Sequence, residues 1–77
     1  MRQEIIEAID RERAYQDRKW GPPHHDVPAW ILVLRAELAE AEHAWVKSGG
    51  NREALKEILQ VIAVGVACLE QHGIFER

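Results

Sequence analysis

The chain has 77 residues, which is enough for one small domain spanning residues 1–77. Its 10 Lys and Arg against 13 Asp and Glu give a formal net charge of −3, and this mild acidity argues against nucleic acid or an anionic membrane surface as a partner. A lone cysteine, Cys68, and a charged N-terminal segment predict a reduced thiol, no secretory signal and a cytoplasmic location.

The sequence predicts three helices and no strands. The first runs from about Gln3 to Arg18, and its apolar contacts are expected from Ile5, Ile6 and Ile9. Its second half, RERAYQDRK, offers only two residues to a core, Ala14 and Tyr15. We therefore expect that half to be a solvated flank.

The segment from Lys19 to Asp26 combines a glycine with two prolines, which predicts a stiff, irregular loop. Asp26 is the expected N-cap of the second helix, with Pro28 in the first turn. Adjacent histidines in this loop, His24 and His25, seldom face one ion together, so a separate metal site with Asp26 is a weaker hypothesis.

The second helix is predicted from about Pro28 to Lys47, ended by the Ser-Gly-Gly sequence at 48–50. Apolar residues at alternating spacings of three and four predict the seam of a bundle helix. The seam residues are Ile31, Leu34, Leu38, Ala41 and Trp45, widened on one side by Trp30, Val33 and Ala44. Trp30 and Trp45 are accordingly expected to serve packing or an interface.

Asn51 is the expected cap of the third helix, which continues to about His72 and stops at Gly73. Its apolar run, residues 58–69, is too short to cross a bilayer. One predicted face consists of Leu55, Ile58, Leu59, Ile62, Val66 and Leu69, and a second of Val61, Val64 and Cys68. A helix that is apolar on two faces needs two partners, so we expect a homo-oligomer, a dimer or a tetramer, with Cys68 in the core.

Two pairs of polar residues interrupt these apolar helices at i, i+3 spacing: Glu37 with Glu40, and Glu57 with Gln60. A short turn makes the two helices antiparallel, which allows Glu40 and Glu57 to face each other. Three carboxylates and an amide oxygen are hard ligands, suited to Mg²⁺ or alternatively Mn²⁺. The alternative is that these glutamates are solvated or paired with Lys or Arg, as most helical glutamates are.

The stretches LRAELAEAEHA and LKEILQVIAVGVACLE, preceded by ERAYQDRKWG, resemble the MazG-like all-alpha nucleoside triphosphate pyrophosphohydrolases, particularly small phage and bacterial members. The likeness covers about residues 10–70. It implies a helical fold completed by oligomerisation, and Mg²⁺-dependent cleavage of a nucleoside triphosphate to the monophosphate and pyrophosphate. The family motif has the form EExxE followed by ExxD.

On this resemblance Glu37 and Glu40 match the second and third acids of the motif, and Glu57 matches the fourth. Glu37, Glu40, Glu57 and Gln60 would hold the metal, and Glu40 or Glu37 would act as the base. Ala36 and Gln60 stand where the family has acids. The chain is therefore a weakened enzyme, an enzyme with an altered site, or a non-catalytic helical oligomer that keeps the fold for binding a nucleotide or a protein.

The resemblance also implies a nucleotide pocket near the first loop. Trp20 would stack on the base, while Lys19 and His24 or His25 would meet phosphate. The alternative is that Trp20 anchors the loop on the core and both histidines are merely exposed.

Overall fold

A computed structural model of the chain contains three α-helices: α1 (Arg2–Trp20), α2 (Val27–Ala44) and α3 (Asn51–His72). A π-helical turn, Trp45–Gly49, continues α2 toward α3. The structure describes the whole backbone and every side chain except that of Ser48. Across the described backbone there is no strand, so the predicted all-α class with three helices is confirmed. None of the helices so described combines the length and the apolar character needed to cross a membrane.

The helix ends follow local chemistry. A side-chain oxygen of Asp26 accepts a hydrogen bond from the Ala29 N–H at 2.9 Å, so the predicted cap of α2 is confirmed. The predicted Asn51 cap of α3 is wrong. Gly50 occupies the N-cap position with φ +58°, a region that favours glycine, and the Asn51 side chain instead accepts the indole N–H of Trp45 at 3.0 Å. Gly73 ends α3 as predicted, at φ +95°.

The second and third helices pack antiparallel along their length. Trp30 near the start of α2 meets Gln71 near the end of α3, Leu34 lies opposite Gly65, and Glu40 lies beside Glu57. The core is small and consists of Trp30, Val64 and Ala67, surrounded by Val33, Leu34 and Cys68. The prediction that Trp30 and Cys68 serve packing is confirmed.

Most of the large residues predicted to form the seam are exposed. They are Ile31, Leu38 and Trp45 on α2, and Leu55, Ile58, Ile62 and Leu69 on α3. The buried helical positions are instead mostly small: Ala41, Ala54, Ala63, Val64 and Ala67. Small side chains let the helices approach closely, so α2 and α3 meet through their narrower apolar faces. The predicted seam is therefore divided: Leu34 and Ala41 are covered within the protomer, whereas the large residues Ile31, Leu38 and Trp45 are not.

Six of the exposed apolar residues fall in two rows, one on α2 and one on α3, which together we call the apolar face. Ile31, Leu38 and Trp45 recur every seven residues along α2, and Leu55, Ile62 and Leu69 do the same along α3. In an antiparallel pair these two rows run level with each other. At about 100° per residue, they lie on the side of the pair away from α1.

The first helix departs from the prediction in both halves. Of its expected apolar contacts, Ile9 is half-buried, while Ile5 and Ile6 are exposed. The second half is mostly solvated as predicted, but the prediction is wrong at Arg13 and Gln16, which are buried. The buried side of this half is polar because α1 packs on α3 close to Glu70, whose carboxylate pairs with Arg13.

Candidate metal centre and adjoining cleft

Three carboxylates converge between α2 and α3. Glu37 and Glu40 lie one turn apart on α2, and Glu57 approaches them from α3. One oxygen of each lies within 4.8 Å of the other two. The antiparallel packing of the helices brings Glu40 and Glu57 together, as the sequence predicted. This spacing is compatible with three ligands around one cation, since Mg–O and Ca–O bonds are roughly 2.0–2.6 Å long.

The electrostatics of this cluster disfavour three bare carboxylates. Burial of Glu37 raises its pKa, and the charge of Glu40 and a hydrogen bond with it raise the pKa further, followed by the charges of Glu57 and Glu12. Oε2 of Glu57 is buried and has no hydrogen-bond partner among the described residues. In the same set of residues no Lys or Arg forms an ion pair with any of the three acids. Pairing with basic side chains therefore does not explain the cluster.

Gln60, the fourth predicted ligand, is half-buried and lies one turn beyond Glu57 on α3. Its main-chain oxygen accepts a hydrogen bond from Nε2 of Gln16 at 3.4 Å. This contact ties α1 to α3 near the acids. A role for the Gln60 side chain as a ligand stays a prediction.

A cleft of about 270 Å³ extends from Glu37 to the loop between α1 and α2. Its apolar floor comes from α2 and α3, and one wall comes from the last two turns of α1. The lining residues are Arg13, Gln16, Asp17, Trp20, Gly21, Pro22, Pro23, His24, His25, Trp30, Val33, Glu37, Val64 and Ala67. One cleft thus joins an acid of the candidate metal centre to the loop that the sequence singled out.

Three of the four predicted substrate residues, Trp20, His24 and His25, line this cleft. Lys19 does not; its ammonium nitrogen lies 4.9 Å from the centroid of the Trp20 ring, in a cation–π contact. Trp20 is 58% exposed. Trp20 thus lies outside the core, and His24 and His25 are exposed as the alternative expected, so a substrate-binding role for these residues stays a prediction.

The two histidines stack on each other, with ring centroids 5.3 Å apart. His24 Nδ1 lies 2.9 Å from the carbonyl oxygen of Pro22, and the His25 ring packs edge-on against Trp30 at 4.8 Å. Asp26 is engaged as the cap of α2. The acidic cluster is the sole group of three potential metal ligands within the described part of the chain, so the weaker hypothesis of a second site at His24, His25 and Asp26 gains no support.

An ion-pair network that the sequence analysis missed forms the α1 wall. Arg13 donates to both carboxylate oxygens of Glu70, at 3.2 and 2.7 Å, to Asp17 at 2.8 Å and to the Gln16 carbonyl at 3.1 Å. The hydrogen bond to Glu70 is the main cause that raises the Arg13 pKa, and burial opposes it. The sequence did contain a pattern that predicts one side of α1: Ile9, Arg13, Gln16 and Trp20 recur at spacings of four, three and four. The side that begins with Ile9 thus continues through polar residues.

No family model, no curated protein and no solved structure matches this chain, so the resemblance described above depends on the quoted residues alone.

Proposed function

We propose that the protein is a Mg²⁺-dependent nucleoside triphosphate pyrophosphohydrolase of the MazG-like type, which converts a nucleoside triphosphate to the monophosphate and pyrophosphate. The observation that carries this proposal is the buried, unpartnered Oε2 of Glu57 within a cluster of three convergent carboxylates. A buried anionic oxygen without a donor is costly. A divalent cation held by the cluster would remove that cost.

The donor set fits such a cation. Glu37, Glu40 and Glu57 offer only carboxylate oxygens, the ligands that Mg²⁺ and Mn²⁺ prefer, and Gln60 would add an amide oxygen. When bound, the ion supplies neutralisation of phosphate oxygens and a lowered pKa of a coordinated water. Glu40 and Glu37 are the proposed bases, since a carboxylate within hydrogen-bond reach of the attacking water can take its proton.

The cleft supports a nucleotide as the substrate. Glu37, Trp20 and the two histidines all line the cleft. Trp30, on the floor near the loop, precedes Glu37 by two turns of α2, a rise of ~10 Å. We propose that the base stacks on Trp20 while the phosphates extend toward the acids. His24, His25 and the nearby Lys19 would contact phosphate or sugar on the way.

The apolar face supports a homo-oligomer, a dimer or a tetramer. Leu55 is 62% exposed, Ile31 is 59% exposed and Leu38 is 58% exposed, and exposed apolar rows of this kind mark an interaction site. Two copies joined through α2 and α3 would form a four-helix arrangement with α1 on the outside. The proposed setting is the cytoplasm, where a free thiol such as Cys68 stays reduced.

The test is pyrophosphate release from a panel of ribo- and deoxyribonucleoside triphosphates, with Mg²⁺, Mn²⁺ or EDTA. Glu57→Gln removes one anionic ligand and should lower kcat/KM at least about 100-fold, as loss of a group that stabilises transition-state charge does. Glu42→Gln is the matched control, because Glu42 is an exposed acid on α2 outside the cluster. Its activity should equal that of the wild type, and both variants should keep the oligomeric state.

A non-catalytic nucleotide-binding oligomer is the second candidate, favoured by Ala36. This residue is exposed on α2 and offers no oxygen at the position where the resemblance expects an acid. The candidate predicts that nucleotides raise the Tm while no pyrophosphate forms with any metal. A lack of turnover, together with a Tm that Mg²⁺ leaves unchanged, would refute the proposed enzymatic activity.

A further inference from the structure

We infer that Asp17 selects the base in the cleft, and that the preferred substrate carries a base with adjacent N–H donors, guanine before the others. The inference rests on the proposed function for its substrate class. It concerns the part of the cleft beside α1, where one polar side chain remains able to bind a ligand.

Two of the three polar side chains on that wall are already engaged. Arg13 is buried and donates to Glu70, Asp17 and Gln16. Gln16 is also buried: its carbonyl accepts from Arg13, and its amide nitrogen donates to Glu12 at 3.3 Å and to the Gln60 main chain at 3.4 Å. A ligand would have to break these internal bonds to use either residue.

Asp17 differs because half of it faces solvent and the cleft. Its side chain is 51% exposed, and Oδ1 accepts from Arg13 at 2.8 Å. Oδ2 has no hydrogen bond to the side chains or backbone that the structure describes. A carboxylate oxygen of this kind is a hydrogen-bond acceptor. The α1 wall therefore offers a ligand one oriented hydrogen-bond acceptor, the carboxylate of Asp17.

Trp20 lies one turn beyond Asp17 on the same side of α1, and both line the cleft. A base stacked on the Trp20 ring would bring its hydrogen-bonding edge toward the Asp17 carboxylate. Asp17 shares Arg13 with Glu70, and Glu70 lies thirteen residues beyond Glu57 on α3, a rise of ~20 Å. The proposed position of the base is thus separated along α3 from Glu57, and Glu37 lines the cleft between them.

Chemical complementarity then ranks the bases. Guanine presents a ring N–H beside an exocyclic amino group, two parallel donors that a carboxylate can accept together. Adenine and cytosine present one amino group beside a ring nitrogen that is itself an acceptor. Thymine and uracil present one N–H between two carbonyl oxygens, and these oxygens repel a carboxylate. We expect kcat/KM to follow this order.

The decisive variant is Asp17→Asn, whose amide offers one acceptor and one donor. Xanthine, which carries a carbonyl where guanine has its amino group, matches that pair. The ratio of kcat/KM for dGTP to that for dXTP should therefore fall in the variant by about 10–100-fold or more, the scale of one bidentate contact. A general loss of folding would lower both rates and leave the ratio unchanged. Asp10→Asn, an exposed acid on α1 outside the cleft lining, is the control and should keep the wild-type ratio.

A binding arm separates this inference from the proposed function. The quenching of tryptophan fluorescence by GMP and by XMP, measured in EDTA, reports base preference without any reaction. Preferential GMP binding that Asp17→Asn shifts toward XMP supports the inference even if no pyrophosphate is ever released. Turnover with a dGTP to dXTP ratio that Asp17→Asn does not alter overturns the inference and leaves the function standing. Absence of both binding and turnover overturns both.

Discussion

The indole N–H of Trp30 donates to Oε1 of Gln71 at 2.9 Å, and the same oxygen accepts the main-chain N–H of His25 at 3.1 Å. One side chain near the end of α3 thereby holds the first turn of α2 and the loop that closes the cleft. His72 adds a contact of 2.8 Å between its Nε2 and the carbonyl oxygen of His25. The loop end of the cleft is consequently positioned by the last turn of α3.

Removing this shared acceptor should loosen the loop and destabilise the fold. Gln71→Met leaves the N–H of a buried tryptophan without a partner, which costs about 1–3 kcal/mol. Gln71→Glu keeps an acceptor oxygen and should retain most of the stability. Urea unfolding of the two variants and the wild type provides the measurement. Equal midpoints for Gln71→Met and the wild type would contradict this role.

The Arg13 network should be the main polar contribution to the docking of α1. Arg13→Met removes hydrogen bonds to two carboxylates, and we expect a loss of about 2 kcal/mol in the free energy of unfolding, or roughly 10 °C in Tm for a domain of this size. Arg18→Met is the matched control, because Arg18 is exposed on the same helix and has no ion pair within the described set. It should change stability by no more than about 0.5 kcal/mol. A similar loss in both variants would contradict the assignment.

The raised pKa of Glu37 predicts that the metal-free protein loses stability as the pH rises. The folded state binds a proton on the Glu37 carboxyl group more tightly than the unfolded state does. Protonated Glu37 therefore contributes its full stabilisation below the ordinary carboxyl pKa. That contribution is lost as the pH rises through the folded pKa. Glu37→Gln has no such titration, so in EDTA the wild type should lose Tm relative to this variant from mildly acidic to neutral pH.

The wild type and Glu37→Gln also test whether the acidic cluster binds Mg²⁺. Mg²⁺ should raise the Tm of the wild type at neutral pH, because it favours the ionised cluster, and should raise that of Glu37→Gln much less. Differential scanning calorimetry across this pH range, with and without Mg²⁺, measures both effects. Parallel pH profiles in EDTA would show that Glu37 is not perturbed in solution.

A charge on the apolar face should break the proposed oligomer. Ile62 lies in the middle of the α3 row, so Ile62→Lys would place an ammonium group at the centre of an apolar contact. We expect sedimentation velocity to show a shift to the monomer at micromolar concentration. Ile74→Lys makes the same change at an exposed isoleucine beyond α3 and should leave the assembly intact. A wild-type protein that sediments as a monomer would refute the proposed interface.

Much of the local structure was predictable, because it depends on neighbours along the chain. The loop was predicted from Lys19, although α1 continues to Trp20. The rest of that loop, the Asp26 cap and the stop at Gly73 are set by turn and capping residues within a few positions. The approach of Glu37, Glu40 and Glu57 also followed, since helical spacing and one short turn are enough to bring them together. Asn51 shows the limit of such reasoning, because its side chain bonds Trp45 across the turn instead of capping α3.

The sequence by itself thus determined the three helices, most of their ends and the meeting of the acids. Only the tertiary structure decided which apolar face is covered and which polar residues are buried. Ile31 and Ala41 carry the same periodic signal, yet Ile31 is exposed and Ala41 is buried. Arg13 was expected in solvent and lies in the α1–α3 interface because Glu70, 57 residues away, supplies its counter-charge. Burial is decided by contacts between distant parts of the chain, and the periodicity of one helix carries no information on where its neighbour packs.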